Sequence, residues 1–543
     1  MKVNLKKTLS AFAVTLLAAT QVLSVSTSVL AQAGPLNVQI EVEIATLDPS
    51  LATDGTSMET MALMYDGLLE KDASGELVPA VAESYEVNED ETVYTFKLRE
   101  DATWSNGDPV TAQDFVFSWQ RLVNPETASE YSSMPGIAGI LNADKITAGE
   151  VDPAELGVKA VDEKTLEVTL ERPTPYFLSL LTFSTFYPIN QAFFEGTSGQ
   201  FATSPETVIS NGAFILSSYQ PAATSVELTK NEAYYNAANV TLPGVTFHVI
   251  KDAQQAVLAY QTGQVDVAIL QGEQVDLFLN DPEFKSIPLG YLWYLAPNIE
   301  NEDLANQDLR LAIGKAYDRA VIVNNVLKDG SIPADFFIPQ GLSNDPSGTD
   351  YREAVGTGLL ATNLEEAQAH YEKAKEALGK DSFTIGLLVE DTEASIKVGQ
   401  SLEAQIEQAL SGVDIQLEQT PKKNRLERMR EGDYDLGLTR WGPDYADPST
   451  YLQLIETNST YNMPNYSNAD YDAGYAAIMT GDLVTDPQAR FDKMVEMEAL
   501  ALSEGAILPV YQAASAVLTK ANVSGINYFV VGTTKNYKYA TKQ

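Results

Sequence analysis

Apolar residues alternate with polar ones at Leu36, Val38, Ile40, Val42 and Ile44, the period of two that a half-buried strand requires, and the run stops at Leu47-Asp48-Pro49. A denser apolar stretch over 58–69 predicts a helix. Short strands are expected at 92–98 and 165–170, with Asn106-Gly107 as a tight turn and helical spacing over 114–122. The runs 213–219 and 225–229 read as a hairpin around Gln220-Pro221-Ala222-Ala223. A strand at 245–250, a helix at 253–262 and a strand at 265–270 follow, a βαβ order that predicts a parallel pair with a right-handed crossover.

In the second half Leu309, Ile313, Ala316, Ala320 and Val321 recur at three- and four-residue spacing, giving one helix face over 309–321. Asn363-Leu364-Glu365-Glu366 resembles a capping box for a helix that Gly379 ends. Strands at 383–389 and 413–418 then alternate with helices at 393–410 and 424–430. A last strand is marked by Tyr434, Leu436 and Leu438. The fold class is therefore α/β. In open sheets of this kind ligands sit beyond the carboxyl ends of the strands, where Trp441 to Asp444 falls.

Gly442-Pro443 breaks regular pairing after that strand and sets Asp444 between Trp441 and Tyr445. The strand end is expected to be an unpaired edge on which an extended ligand can add as a further strand. Asp444 then suits a ligand ammonium, which costs several kcal/mol to desolvate unless a carboxylate meets it. The same residues also suit a plain turn, with Asp444 bonding nearby backbone and Trp441 in a core, and local sequence leaves both readings open. Arg440 is a candidate partner for a ligand carboxylate, or for one of the chain's own acids. Upstream, Lys422, Lys423, Arg425, Arg428 and Arg430 are expected to form a solvated helix face paired with Glu427 and Glu431, the alternatives being docking to a partner or contact with a ligand carboxylate.

Composition narrows the function. The chain has 543 residues, 44% of them hydrophobic, enough for at least two cores, since single cores rarely exceed about 250–300 residues. A formal charge of −40 disfavours nucleic acid and anionic membranes as partners. Lys2, Lys6 and Lys7, the apolar run over 9–29 and Ala31-Gln32-Ala33 read as a signal peptide over 1–33, so the mature chain is expected to start near Gly34 and to work outside the cytoplasm. Cysteine is absent altogether, which removes disulfides, thiolate metal sites and Cys nucleophiles. No HExxH, GxSxG or GxxxxGK[ST] motif occurs, and His248 and His370 are expected to be structural.

Four segments in order resemble the oligopeptide-binding proteins of ABC importers, the extracellular solute-binding proteins of family 5. They are Val81 to Leu122, Asn211-Gly212-Ala213-Phe214 with Asn231 to Tyr235, Asn306 to Val326, and Asp433 to Leu452. The resemblance implies a two-lobe, hinged periplasmic-binding-protein fold with an extra small domain. Its implied parts are lobe I (34–66, 200–297 and 513–543), the small α+β domain (67–199) and lobe II (298–512). It also implies that Asp444 meets a peptide amino terminus, that Trp441, Gly442, Arg440 and Tyr445 surround it, that main chain at Thr53, Asp54 and Gly55 faces it from the other lobe, and that Tyr294 and Asn298 line the cleft.

The partners so implied are an oligopeptide and the permease subunits, for a monomer without catalysis, cofactor or metal. Gram-positive members carry a lipobox Cys where this chain has Thr20, so no lipid anchor is expected. Leu438 stands where other members read a carboxylate with a basic residue, which leaves ligand length open. Rival readings are a receptor for a signalling peptide or another small solute, a secreted hydrolase using paired carboxylates, and an adhesin or holdase chaperone.

Overall fold

A computed structural model describes residues 34–220 and 223–543. The predicted signal peptide over 1–33, with Thr20, and Pro221-Ala222 of the expected hairpin turn lie outside the described residues. Ten strands run across one mixed sheet in the order Val413–Thr420, Phe383–Glu390, Leu436–Trp441, Phe284–Pro297, Leu508–Thr519, Val267–Leu270, Leu36–Ile40, Gly244–Val249, Ser225–Lys230 and Phe214–Ser218, with Ile332–Pro333 added beside Leu508–Thr519.

Two large hydrophobic clusters lie on either side of the central strands. One gathers Leu36, Phe96, Trp104, Trp119, Phe214 and Phe247, and the other Leu309, Tyr371, Leu387, Leu402, Leu438 and Leu508. The 14-residue Phe284–Pro297 strand and the 12-residue Leu508–Thr519 strand pair with each other between them. Their register breaks between Pro288 and Leu292, beside Gly290, where any side chain would collide with the Val530 carbonyl and the Pro443 ring.

A second, antiparallel sheet, Ala82–Val87, Val93–Leu98, Thr165–Thr169 and Val158–Asp162, carries the amphipathic Ala112–Val123 helix. Trp104, buried before the Asn106-Gly107 turn, donates its indole N–H to Asp114 Oδ2 at 3.1 Å, which ties that turn to the first turn of the helix. Both histidines take structural places. His248 bonds Asn37 between neighbouring strands, and His370 meets Asp308 between two helices.

Several expectations need correction. The first strand ends at Ile40, because Val42 is 51% exposed and the alternation no longer faces a core. The next helix is Gly55–Met64, begun earlier by the Asp54 cap and ended at Tyr65. Gly244–Val249 and Val267–Leu270 are not neighbours, since Leu36–Ile40 lies between them and pairs with both in parallel. The predicted 309–321 helix is Gln307–Ala316 followed by a separate turn at Arg319–Val321, with Tyr317 in extended backbone and Asp318 capping the new turn. Leu436–Trp441 is an interior strand. Leu436 and Gly437 pair with Phe383–Glu390 on one side, and beyond Gly437 only the Phe284–Pro297 side is paired in register.

Candidate functional site

Where that one-sided strand runs out, a cavity of about 500 Å³ opens between the two clusters. Its size falls within the roughly 300–1,000 Å³ typical of small-ligand sites. Thr439, Arg440, Trp441, Gly442, Pro443 and Asp444 form one wall, Thr53, Gly55, Met58, Tyr131 and Phe183 face them, and Tyr291 and Tyr294 lie beside the strand.

Asp444 is half-buried here and has no hydrogen bond or ion pair among the described residues. Burial pushes its carboxyl up to about 6, because a charge removed from water without a cation beside it favours the neutral form. Tyr131 and Tyr461 stand close enough that the Asp444 charge, after burial, raises their hydroxyls as well. The turn-forming work belongs to Asp447. That side chain accepts from the Ser449 N–H at 3.0 Å and is held by Arg490 through contacts of 2.6 and 2.9 Å. Although burial opposes ionisation, Arg490 holds Asp447 below the usual carboxylate range.

The neighbours of Asp444 are fixed by similar means. Trp441 donates its indole N–H to Thr450 Oγ1 at 3.2 Å and sets its ring edge-on to Tyr461 at 4.9 Å. Any side chain at Gly442 would collide with the Tyr291 ring, so the backbone passes that ring closely only because Cβ is missing. Arg440 lays its guanidinium over Tyr291 at 4.9 Å and Trp293 at 5.3 Å. Arg425 is buried, reaches Glu390 at 2.9 Å and donates to the Leu438 carbonyl, pinning the strand from its otherwise unpaired side. The expected partners Glu427 and Glu431 are replaced by Glu390 for Arg425, and by Glu418 and Asp433 for Arg428.

The structure places Asp444, Trp441, Gly442, Arg440, Thr53, Gly55 and Tyr294 around the cavity. Three other predicted residues take other positions. Asp54 caps the Gly55–Met64 helix by accepting from the Ser57 N–H at 2.8 Å. Asn298 donates to the Gly432 and Tyr434 carbonyls and so fixes the entry to the strand. Tyr445 is 3% exposed and stacks on Tyr176 within the first cluster.

Sequence reasoning missed Tyr131, Tyr461, Met463 and the C-terminal stretch around Val530, Gly532 and Thr534, all of which line the cavity. They lie in turns without periodicity, so no pattern marked them. Lys71 donates to the Val531 carbonyl at 2.8 Å, while Lys538 pairs with Asp66 at 2.5 Å and Glu70 at 2.6 Å. Together these bonds clamp the C-terminal stretch against the cavity.

The family model described as bacterial extracellular solute-binding proteins, family 5 middle, matches residues 76–463. This chain belongs to that family. A dipeptide-binding protein of Lactococcus lactis subsp. cremoris is 31% identical over 521 residues, covering 93% of this chain and 94% of the relative. Among solved structures, Listeria monocytogenes OppA bound to peptide is 34% identical at a TM-score of 0.76, covering 94% of this chain and all of that one. The substrate-binding domain of an oligopeptide ABC transporter from Bacillus anthracis is 36% identical at the same TM-score, over 94% and 98% of the two chains. The chain is thus a two-lobe solute-binding protein of a family whose members act by binding. No helix among its described residues is long and apolar enough to cross a membrane.

Proposed function

We propose that this receptor captures short peptides by their free amino terminus outside the cytoplasm and hands them, chemically unchanged, to the permease subunits of an ABC importer. One observation carries the reading. A desolvated carboxylate, Asp444, stands without a cation paired to it among the described residues, beside aromatic rings of the cavity wall at the end of a strand paired on one side only. A ligand α-ammonium supplies the missing charge, and its peptide groups meet the unpaired main chain, which contributes affinity whatever side chains the ligand carries. The named binders among the relatives, of dipeptides and oligopeptides, support the same ligand class.

In this reading the protein acts as a monomer whose lobe I (34–66, 200–297 and 513–543), carrying the small domain (67–199), closes on lobe II (298–512) through a few hinge residues. Closure is favoured because both lobes touch the ligand, and the closed form is what the permease recognises. Calorimetric titration with a diverse pool of short peptides, followed by mass spectrometry of the recovered ligand, tests it. Tight binding with intact recovery is expected. Absence of binding removes the peptide assignment, and cleaved products would make the protein a hydrolase.

A further inference from the structure

The charges around the cavity do not balance. Asp444 is its one acidic lining residue among the described residues, against the cations Lys422, Arg425, Arg430, Arg440 and Lys535. Two of these are neutralised by the fold, Arg425 by Glu390 at 2.9 Å and Lys535 by Glu59 at 3.8 Å. Lys422, Arg430 and Arg440 have no carboxylate partner among the described residues. In a chain of formal charge −40, acids to pair them abound, yet no carboxylate of the described residues lies within ion-pair distance of these three.

Their placement is built rather than incidental. Arg440 is laid over Tyr291 and Trp293 by cation–π contact, which directs it along the cavity wall. Lys422 and Arg430 sit at opposite ends of the Lys422–Arg430 helix, whose middle is anchored by buried Arg425. Arg430 also lies near enough to Tyr461 to offset in part the rise that burial and Asp444 impose on that hydroxyl, so cation and acid share one chamber.

We infer that the cavity selects short peptides of net negative charge, with one ammonium for Asp444 and two or more carboxylates for Arg440, Arg430 and Lys422. A plain zwitterion neutralises one cation, and the remaining two call for acidic side chains. The inference rests on the peptide reading and adds the class of peptide. Because all three cations are exposed at the cavity wall, their attraction acts through solvent, shapes encounter and specificity, and is screened by salt.

The test is a matched series, Ala-Glu-Glu, Ala-Ala-Ala and Ala-Lys-Lys, titrated calorimetrically at low and high ionic strength. Each peptide is also used as its C-terminal amide, which separates side-chain from terminal carboxylates. Ala-Glu-Glu is expected to bind about tenfold or more tighter than Ala-Lys-Lys, with the amides keeping most of that ratio, the ratio shrinking in salt, and Arg440→Gln with Arg430→Gln narrowing it. Equal affinities, or a preference for Ala-Lys-Lys, would overturn the inference and leave the peptide reading standing. A ratio lost in the amides would overturn the side-chain assignment. Failure of all three peptides to bind would overturn both.

Discussion

Tyr176 and Tyr445 stack with ring centroids 4.3 Å apart and planes inclined by 21°, while Asp444, the residue before Tyr445, faces the cavity. Neighbouring residues of one turn thus take opposite places, Asp444 lining the cavity and Tyr445 bonding the turn after the Leu436–Trp441 strand to the first cluster. Removing the Tyr445 ring empties a buried, close-packed site. Tyr445→Ala should cost about 3 kcal/mol of unfolding free energy and Tyr445→Phe about 1 or less, since its hydroxyl has only Ser449 Oγ at 3.3 Å. Urea denaturation of both variants without ligand measures this, and similar losses would place the weight on the hydroxyl instead of the stack.

Asp444→Ala should weaken free-amine peptides about a hundredfold and N-acetylated ones much less, because only the former bring a cation into the pocket. Titration of each pair on wild type and variant checks it. Equal losses would take the amine away from Asp444.

Protonation of the same carboxyl gives a pH dependence. Its position near 6 in the folded, ligand-free protein compares with about 3.9 in an unfolded chain. Between those values the folded state holds the proton more tightly, so this group's contribution to stability falls as pH rises from about 4 to about 6 and is constant above. An incoming ammonium needs the carboxylate form. Peptide affinity should therefore weaken as pH drops through about 6, and binding near that pH should release protons, visible as a buffer-dependent heat in calorimetry. A heat independent of buffer would contradict it.

The Asp447–Arg490 pair is buried and doubly bonded. Arg490→Met leaves Asp447 without its cation and should cost about 3–5 kcal/mol, with the acid-bearing turn loosened. The double variant Asp447→Asn with Arg490→Met should recover part of that loss. Thermal and urea melts of the single and double variants decide, and additive losses would show that the two side chains do not act as a pair.

Much of the Leu436–Trp441 strand and the turn after it is legible in the sequence because its chemistry is local. Period two through Tyr434, Leu436 and Leu438, then Gly442-Pro443, marks a strand that stops and an acid that follows. Assigning duties within that stretch was harder, since two Asp residues three apart both suit a turn and only Arg490, 43 residues away, decides that Asp447 makes it. Arg425 likewise read as one more solvated cation, its buried partner Glu390 lying 35 residues upstream. Asn298 is a cleft residue on the resemblance alone, whereas its amide satisfies two carbonyls at the entry to the strand. Tyr131 and Tyr461 carry no positional signature, and only long-range packing brings them to the acid.

The paired Phe284–Pro297 and Leu508–Thr519 strands, one from mid-chain and one from near the carboxyl end, border both clusters at once. The two halves of the molecule thus share backbone within one sheet, and grafting a half from a relative would carry two backbone seams through the middle of it. Exchanging individual side chains on the chamber walls leaves both seams untouched, a far finer instrument than swapping parts.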